Sequence, residues 1–405
     1  MHRIDHPTNA LTLPAPSAAG TPGFFQPGNS SLGLSGTIIT TDWANTVQEE
    51  ISNVVTAGGI VLNKADNSQM LAALDNRYAG VAGGIGGFRN AIINGGFDIW
   101  QRAISFTNPA NAEHVADRWR VIWNGSGATR VISRVGAGTT ATALTGRSTI
   151  LRWSQTAAGT GGTVNSLTQR IEGAGTLSGR TVTVSWVQQS TSTISMASVQ
   201  LQQVFGSGGS PSAATVIDVA TNNPVTSTQV RRSFTVTLPN VAGKVFGTNN
   251  DDYLMLRFNL PLNTTFSLDI TQVQVEAGLT ASAFEMRGAV TEFVLCARYF
   301  ETSITGINTN PVYSVADGSG EAHVHPTSNF AMRTAFRVQK RAVPTVIVYD
   351  SLSAPNRFSC RTTSAWFDGG VVTLGPISAV GGFYWGHSLA GTIETQFWWR
   401  ADAEI

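Results

Sequence analysis

The sequence predicts a mainly β chain: an extended N-terminal arm and a short helix pair, then a β-sandwich, then a second, C-terminal β-sandwich. Three observations lead there. Short runs that alternate apolar and polar residues recur from Trp119 onward, separated by Gly, Asn and Pro turns, which is the pattern of half-buried strands. Charged residues make up 13% of the 405, apolar ones 42%, and 42 are glycine, so the surface is built of hydroxyls and amides on a turn-rich frame. Finally, two apolar runs bracket the middle of the chain. Asn90–Arg102 carries Ile92, Phe97, Ile99 and Trp100 around a permissive Asn94-Gly95-Gly96 bend. Phe266–Glu276 carries Phe266, Leu268, Ile270, Val273 and Val275, slipping phase at Thr271-Gln272 as a bulge does. We read these as the first and last strands of one sandwich, lying side by side. That pairing returns the chain to its point of entry, so the module sits as a bead in a longer assembly.

In chain order, residues 1–40 hold Pro7, Pro14, Pro16, Pro22 and Pro27 among Gly, Ser and Thr, a composition that stays extended unless it lies on a partner surface. Residues 41–87 begin with a helix over 41–57, capped by Thr41 or Asp42 and stopped by Gly58-Gly59, with Trp43, Val47, Ile51, Val54 and Val55 on one face. Asp66 starts a second helix with Met70, Leu71, Leu74 and Tyr78, and residues 80–87 form a Gly-rich joint. So short a pair lacks a core; it packs on its own chain or, as we prefer, in a three-chain collar. Residues 88–287 are the sandwich, with strands over 119–123, 129–135, 149–155, 165–171, 181–188, 198–204, 231–238, 253–259 and 266–275. Residues 288–405 open with a helix over 291–300 and continue as a β knob containing the strand Val343–Tyr349.

A net charge of +1, with the arginines scattered singly, argues against nucleic acid as a partner. No apolar block is long enough to cross a bilayer and no charged-then-apolar leader opens the chain, so we expect no membrane insertion and assembly in a bacterial cytoplasm. Cys296 and Cys360 are too few for a metal cluster, and Cys296 reads as a small buried hydrophobe. Catalytic signatures are missing: there is no Gly-x-Ser-x-Gly elbow, no phosphate-cradling Gly-Lys-Ser/Thr and no His-Glu-x-x-His. The neighbouring Asp251 and Asp252 would point to opposite faces of a strand instead of converging across a cleft as glycosidase acids do. We therefore expect no enzyme activity and no cofactor.

Two constellations carry chemical content. His323 and His325 lie two apart, so on a strand both imidazoles face one side, where three chains on a threefold axis would offer a metal six nitrogens; the plainer alternative is two surface histidines before a proline turn. The C-terminal aromatics are the stronger candidates for binding, because sugar C–H faces stack on Trp and Tyr. Most aromatics in a sandwich are core, but strand neighbours cannot both face it. Tyr384 and Trp385, then Trp398 and Trp399, follow that logic, with Trp366 and His387 beside them.

The run Ile92–Arg102 resembles the first strand of carbohydrate-binding-module jelly rolls, and Ser267–Val275 resembles their closing strand. Four pieces in order resemble tail-fibre proteins of phages and prophages: Ile92–Arg102, Ala116–Trp119, Gln274–Gly278 with Phe284–Arg287, and Cys296–Phe300. Thr41–Asn53 and Trp399–Ile405 fit the same family, and the resemblance spans residues 37–405. It implies a jelly-roll fold for the first sandwich and a homotrimeric virion fibre. In such a fibre residues 1–40 dock to other tail or baseplate proteins and the β-domains recognise a host cell-surface glycan. Weak sugar contacts would multiply across three copies per fibre. Asp98 and Asp269 fall near where related jelly rolls hold a structural Ca²⁺. The alternatives are a neck, collar or baseplate decoration that never touches the host, and a polysaccharide-degrading tail spike.

Overall fold

The computed structural model describes residues 3–74, 88–136, 149–303, 321–324, 330–350, 355–361, 366–387 and 394–405; of 321–324, 330–332, 361, 366–370 and 387 it describes the backbone alone. The chain divides into two compact units, one of Met1–Gly83 with Gly278–Thr280, the other of Gly84–Ala277 with Ala281–Ile405.

In the first unit, helix α1 (Thr41–Ala57) has the predicted length, but its cap is Thr40, whose hydroxyl accepts from the Trp43 N–H at 3.3 Å. Residues 69–74 are also helical. The arm is extended and exposed, and polar clamps tie it to α1. Arg3 grips Glu49 through two bonds of 2.6 and 2.8 Å, and the Ser17 N–H donates to Asp42 at 2.9 Å. The Gly-rich joint expected over 80–87 lies outside the described residues.

In the second unit, eleven strands form two antiparallel sheets. The six-stranded sheet runs β1 (Ser105–Thr107), β3 (Thr129–Gly136), β4 (Thr149–Ala157), β11 (Phe266–Ala277), β6 (Thr181–Ser190), β9 (Val230–Thr237). The five-stranded sheet runs β2 (Trp119–Trp123), β5 (Asn165–Glu172), β10 (Tyr253–Asn259), β7 (Ile194–Val204), β8 (Thr215–Val225). Alternate residues of both sheets meet in one core around Trp119, Trp153, Trp186, Phe97 and Phe258, all fully buried. Strand β8 escaped the sequence reading because Asn222, Asn223 and Pro224 look like a turn; as the edge strand, it tolerates the proline.

The bracketing runs do lie side by side, but the first is no strand. Past Ile270, strand β11 leaves β4, bulges at Gln272 (φ 50°), and its freed edge is taken by the irregular segment 90–96. Ala91 N–H donates to Val275 O and Val273 N–H to Gly95 O, both at 2.9 Å. Between them the Asn90 side chain acts as a peptide would, accepting from Val275 N–H and donating to Val273 O, each at 3.0 Å. The segment cannot continue as a strand because Asn94 and Phe97 turn left-handed, at φ 57° and 54°.

After helix α2 (Ala289–Ala297), which ends before the expected Phe300, the chain enters β12 (Phe300–Thr302). The remaining strands organise around β20 (Glu394–Asp402), which pairs with β12, β13 (Glu321–Val324), β15 (Thr345–Tyr349) and β16 (Arg357–Arg361), with β17 (Trp366–Val371) beyond β16. A three-stranded sheet of β14 (Phe330–Thr334), β19 (Gly382–His387) and β18 (Thr373–Ser378) completes the knob. Phe383, Trp385, Phe397 and Trp399 share its core.

The crossing of 90–96 over β11 leaves no room at Gly95, where an added Cβ would lie 2.2 Å from the Val273 carbonyl oxygen. Gly95→Ala is expected to lower stability by about 2–3 kcal/mol in urea melts with an unchanged m-value. Gly136→Ala, where nothing lies within 4 Å, should stay within about 0.5 kcal/mol of the parent.

Candidate functional site

The aromatic stripe expected on the C-terminal knob is largely interior. Alternation holds on β19, where Tyr384 is 48% exposed and Trp385 1%. It fails on β20, where Trp399 packs with Phe397 and Trp398 points the other way, yet both tryptophans are buried. Strand β20 is flanked on both edges and covered on both faces, so strand neighbours need not choose between core and water. Trp385, Trp398 and Trp399 are therefore not surface ligands, and Tyr384 alone of this group stands outward. The side chains of Trp366, His387 and His323, and all of His325, lie outside the described residues. Asp269 does not join Asp98 in a calcium site: both its oxygens receive the Arg152 guanidinium at 2.7 Å. Among the described residues no three His, Cys, Asp or Glu side chains gather as a metal site. Asp251 and Asp252 serve loops, accepting from Ser207 N–H and Ala174 N–H, each at 2.7 Å.

The motif residues converge elsewhere, on a buried joint between sandwich and knob. Asn94 donates to Ile99 O (2.8 Å) and Asp117 O (3.0 Å), accepts from Ile99 N–H (3.0 Å), and offers its carbonyl to Trp119 Nε1 (2.9 Å). Its own N–H goes to Glu292 on α2. Asp117 accepts from the Gln101 backbone and side chain at 2.6 and 2.9 Å, and the same side chain reaches Phe300 O at 2.8 Å. Glu404 draws in Arg118 and Arg102, whose guanidiniums lie 3.4 Å over Tyr299 and 3.6 Å over Phe300. Burial raises Asp117 to about 6 despite Arg102. Burial also opposes ionised Glu404, but Arg118 and Arg102 prevail and hold it at about 2. His114, 3.6 Å from Glu404, is pushed down to about 3 by burial and by Arg102, Arg118 and Arg120, so at neutral pH the contact is not an ion pair. This network locks the knob to the sandwich.

The outward face of the five-stranded sheet is different. Because Leu254, Leu256 and Phe258 of β10 enter the core, Tyr253, Met255, Arg257 and Asn259 face away, in register with outward residues of every other strand. One row across the sheet reads Arg120, Thr168, Arg257, Gln200, Asp218; the next reads Ile122, Ser166, Asn259, Ser198, Thr221. A third reads Arg170, Met255, Gln202, Val216. A ladder of amides and hydroxyls joins them. Asn259 donates to Ser198 (2.8 Å) and Gln200 (3.1 Å), Gln200 to Asp218 (2.9 Å), and Arg257 Nε to Ser166 (3.1 Å). The sequence reading missed this face. Its residues were visible as the polar partners of each alternating run, but which strands stand beside each other was not.

No protein-family model matches the chain, and no curated protein does. Among solved structures it is similar to the enzymatically active domain of tailspike protein 4 from bacteriophage CBA120, at 14% identity over 47% of this chain, with a TM-score of 0.28; the match spans only 21% of that chain. It is also similar to a family 11 carbohydrate-binding module from Clostridium thermocellum in complex with a β-1,3-1,4-mixed-linked tetrasaccharide (12% identity, 44% of this chain, 99% of the other, TM-score 0.26). A tandem pair of family 22 modules from Paenibacillus barcinonensis matches over 76% of this chain and 99% of its own, at 10% identity and TM-score 0.27. Similarity this distant transfers no ligand.

The joint sets an acid profile. His114 contributes stability that is lost as pH falls from 6.5 to about 3, because only the unfolded chain takes up its proton there. Asp117 acts oppositely between about 6 and 3.8, where the folded chain alone is protonated. Glu404 then loses its contribution between 4.5 and about 2. The first two cancel, so the thermal midpoint should be nearly flat from about pH 6 to 4.5 and fall steeply below about pH 4. His114→Gln should shift that steep limb to lower pH.

Proposed function

We propose that this chain is a non-enzymatic virion fibre protein whose jelly roll recognises a bacterial surface glycan on the outward face of β2, β5, β10, β7 and β8. The observation that carries this reading is the ladder from Arg257 through Ser166, Asn259 and Gln200 to Asp218, donors and acceptors held at fixed spacing on a rigid sheet. Sugar hydroxyls, being both donors and acceptors, satisfy such a row better than an apolar ligand does. Tyr253, half-buried at the start of β10, adds an aromatic surface for C–H faces. On this reading residues 1–40 dock to the tail or baseplate, three chains form the fibre, and assembly takes place in the host cytoplasm. The extended arm, which leaves Leu11, Phe24 and Ile38 exposed, suits a segment that lies on a partner.

The decoration alternative gains ground from the burial of Trp385, Trp398 and Trp399, which removes most of the binding surface expected on the knob. The spike alternative gains nothing from the carboxylates that share Arg102, because Asp117 and Glu404 are both buried in the joint.

Full-length protein should bind extracted lipopolysaccharide or capsule from its host cells, with single-site Kd near ~0.1–1 mM and an avidity gain of about 10²–10⁴ on intact cells. Asn259→Ala with Gln200→Ala should weaken binding about tenfold, and a melt should show the variant still folded. Absence of binding to cells and to both polymers would leave only the decoration reading, and release of reducing ends would establish the spike instead.

A further inference from the structure

The arginines of this unit fall into two groups. At the joint and beside Asp269 arginine meets acid: Arg102 and Arg118 meet Glu404, Arg152 meets Asp269, and Arg287 meets Glu285 and Glu292. Arg130, Arg231 and Arg232 of the six-stranded sheet instead bond amide, hydroxyl and carbonyl oxygens. On the outward face, Glu172 is taken by Arg298 through bonds of 3.0 and 3.1 Å, and Asp218 sits at the edge bonded to Gln200. Arg257 in the middle strand and Arg120 two strands away form no ion pair among the described residues. Arg257 uses Nε on Ser166, and Arg120 uses Nε on Ala112 O at 2.8 Å. In both, the remaining guanidinium nitrogens carry no hydrogen bond among the described residues, and burial weakens Arg257 as a cation. Between them lie Ser166 and Thr168, buried at 0% and 1%, a floor of short side chains flanked by two long cationic ones. Two strand spacings separate Arg120 from Arg257 in their shared row, roughly 10 Å.

Resting on the glycan reading above, we propose that this face takes an acidic glycan, with Arg257 and Arg120 each receiving a sugar carboxylate over the Ser166–Thr168 floor. A half-buried guanidinium without a counter-ion gains most from a ligand that supplies one, and its planar fork matches a carboxylate's two oxygens. Two separate guanidiniums, not a cluster, suit charges spaced along a polymer. Ser198, Asn259 and Gln202 then remain for the hydroxyls.

The test uses full-length protein and four probes: polygalacturonate, alginate, carboxyl-reduced polygalacturonate, and dextran sulfate. Expected is binding to at least one polyuronate that weakens several-fold between 50 and 300 mM salt and disappears on carboxyl reduction. Arg257→Gln and Arg120→Gln should each lose about 10- to 100-fold, and Arg257→Lys should recover part of the loss. Arg152→Gln, on the other sheet, should bind like the parent, and melts should confirm that each variant is folded. Equal binding to the carboxyl-reduced polymer overturns acid recognition while leaving the glycan reading intact. Preference for dextran sulfate overturns the carboxylate assignment. Failure to bind any of the four overturns this inference, and the lipopolysaccharide and capsule assay then decides the broader reading alone.

Discussion

A buried amide must have its donors and its acceptor met, and a buried guanidinium needs a carboxylate. At Asn94 this chain meets the first demand and at Glu404, between Arg102 and Arg118, the second, although Gln101 Oε1, Arg102 Nη1 and Arg118 Nε beside them are buried with no hydrogen-bond partner among the described residues. Every polar atom of Asn94 has a partner, drawn from residues 99, 117, 119 and 292. Removing any partner would strand a donor or acceptor where water cannot reach it, so segments distant in sequence are fixed together. The left-handed turns at Asn94, Phe97 and Arg118 follow from this. They are conformations that bulky residues rarely adopt, and here surrounding bonds and core contacts over-determine them.

This also explains why the stretches that the sequence marks as motifs say so little about a ligand. Ile92–Arg102, Ala116–Trp119, Phe284–Arg287, Cys296–Phe300 and the closing residues all meet at the joint or against β11. Arg287 donates to Ile92 O at 3.0 Å, and Lys340, fully buried, donates to Ala297 O at 2.6 Å at the end of α2 while pairing with Glu301. These residues hold modules in register.

The fold was legible wherever the alternation of one strand was enough to reveal it. Strands at 119–123 and 253–259 were read to the residue, and the bulge at Thr271-Gln272 showed as a slip of phase. What failed were inferences that needed neighbours. Ile92, Phe97, Ile99 and Trp100 are apolar like a strand's residues, but Asn90 and Asn94 divert the segment with side-chain bonds that no propensity reveals. Trp398 and Trp399 looked like an inside–outside pair because nothing in the sequence says that both faces of β20 are covered. Thr168 and Arg257, adjacent on the face, are far apart in sequence and on strands whose order no local pattern encodes.

The proposed placing of recognition on a sheet face, not on loops, has a physical consequence. The outward residues of β5, β10 and β7 are the alternate positions of strands whose other positions are Leu167, Leu254, Leu256, Phe258, Val199 and Leu201, all in the core. The backbone under the face is thus held by the whole sandwich, and the ladder of Asn259, Ser198 and Gln200 further restricts the side chains before any ligand arrives. Little conformational entropy remains to be lost on binding, which matters most for a ligand whose individual contacts are weak. On the proposed reading, such a surface discriminates by which side chain stands at each row and column, so changes at Arg120, Arg257 or Asn259 would alter what is recognised without disturbing the joint that carries the knob.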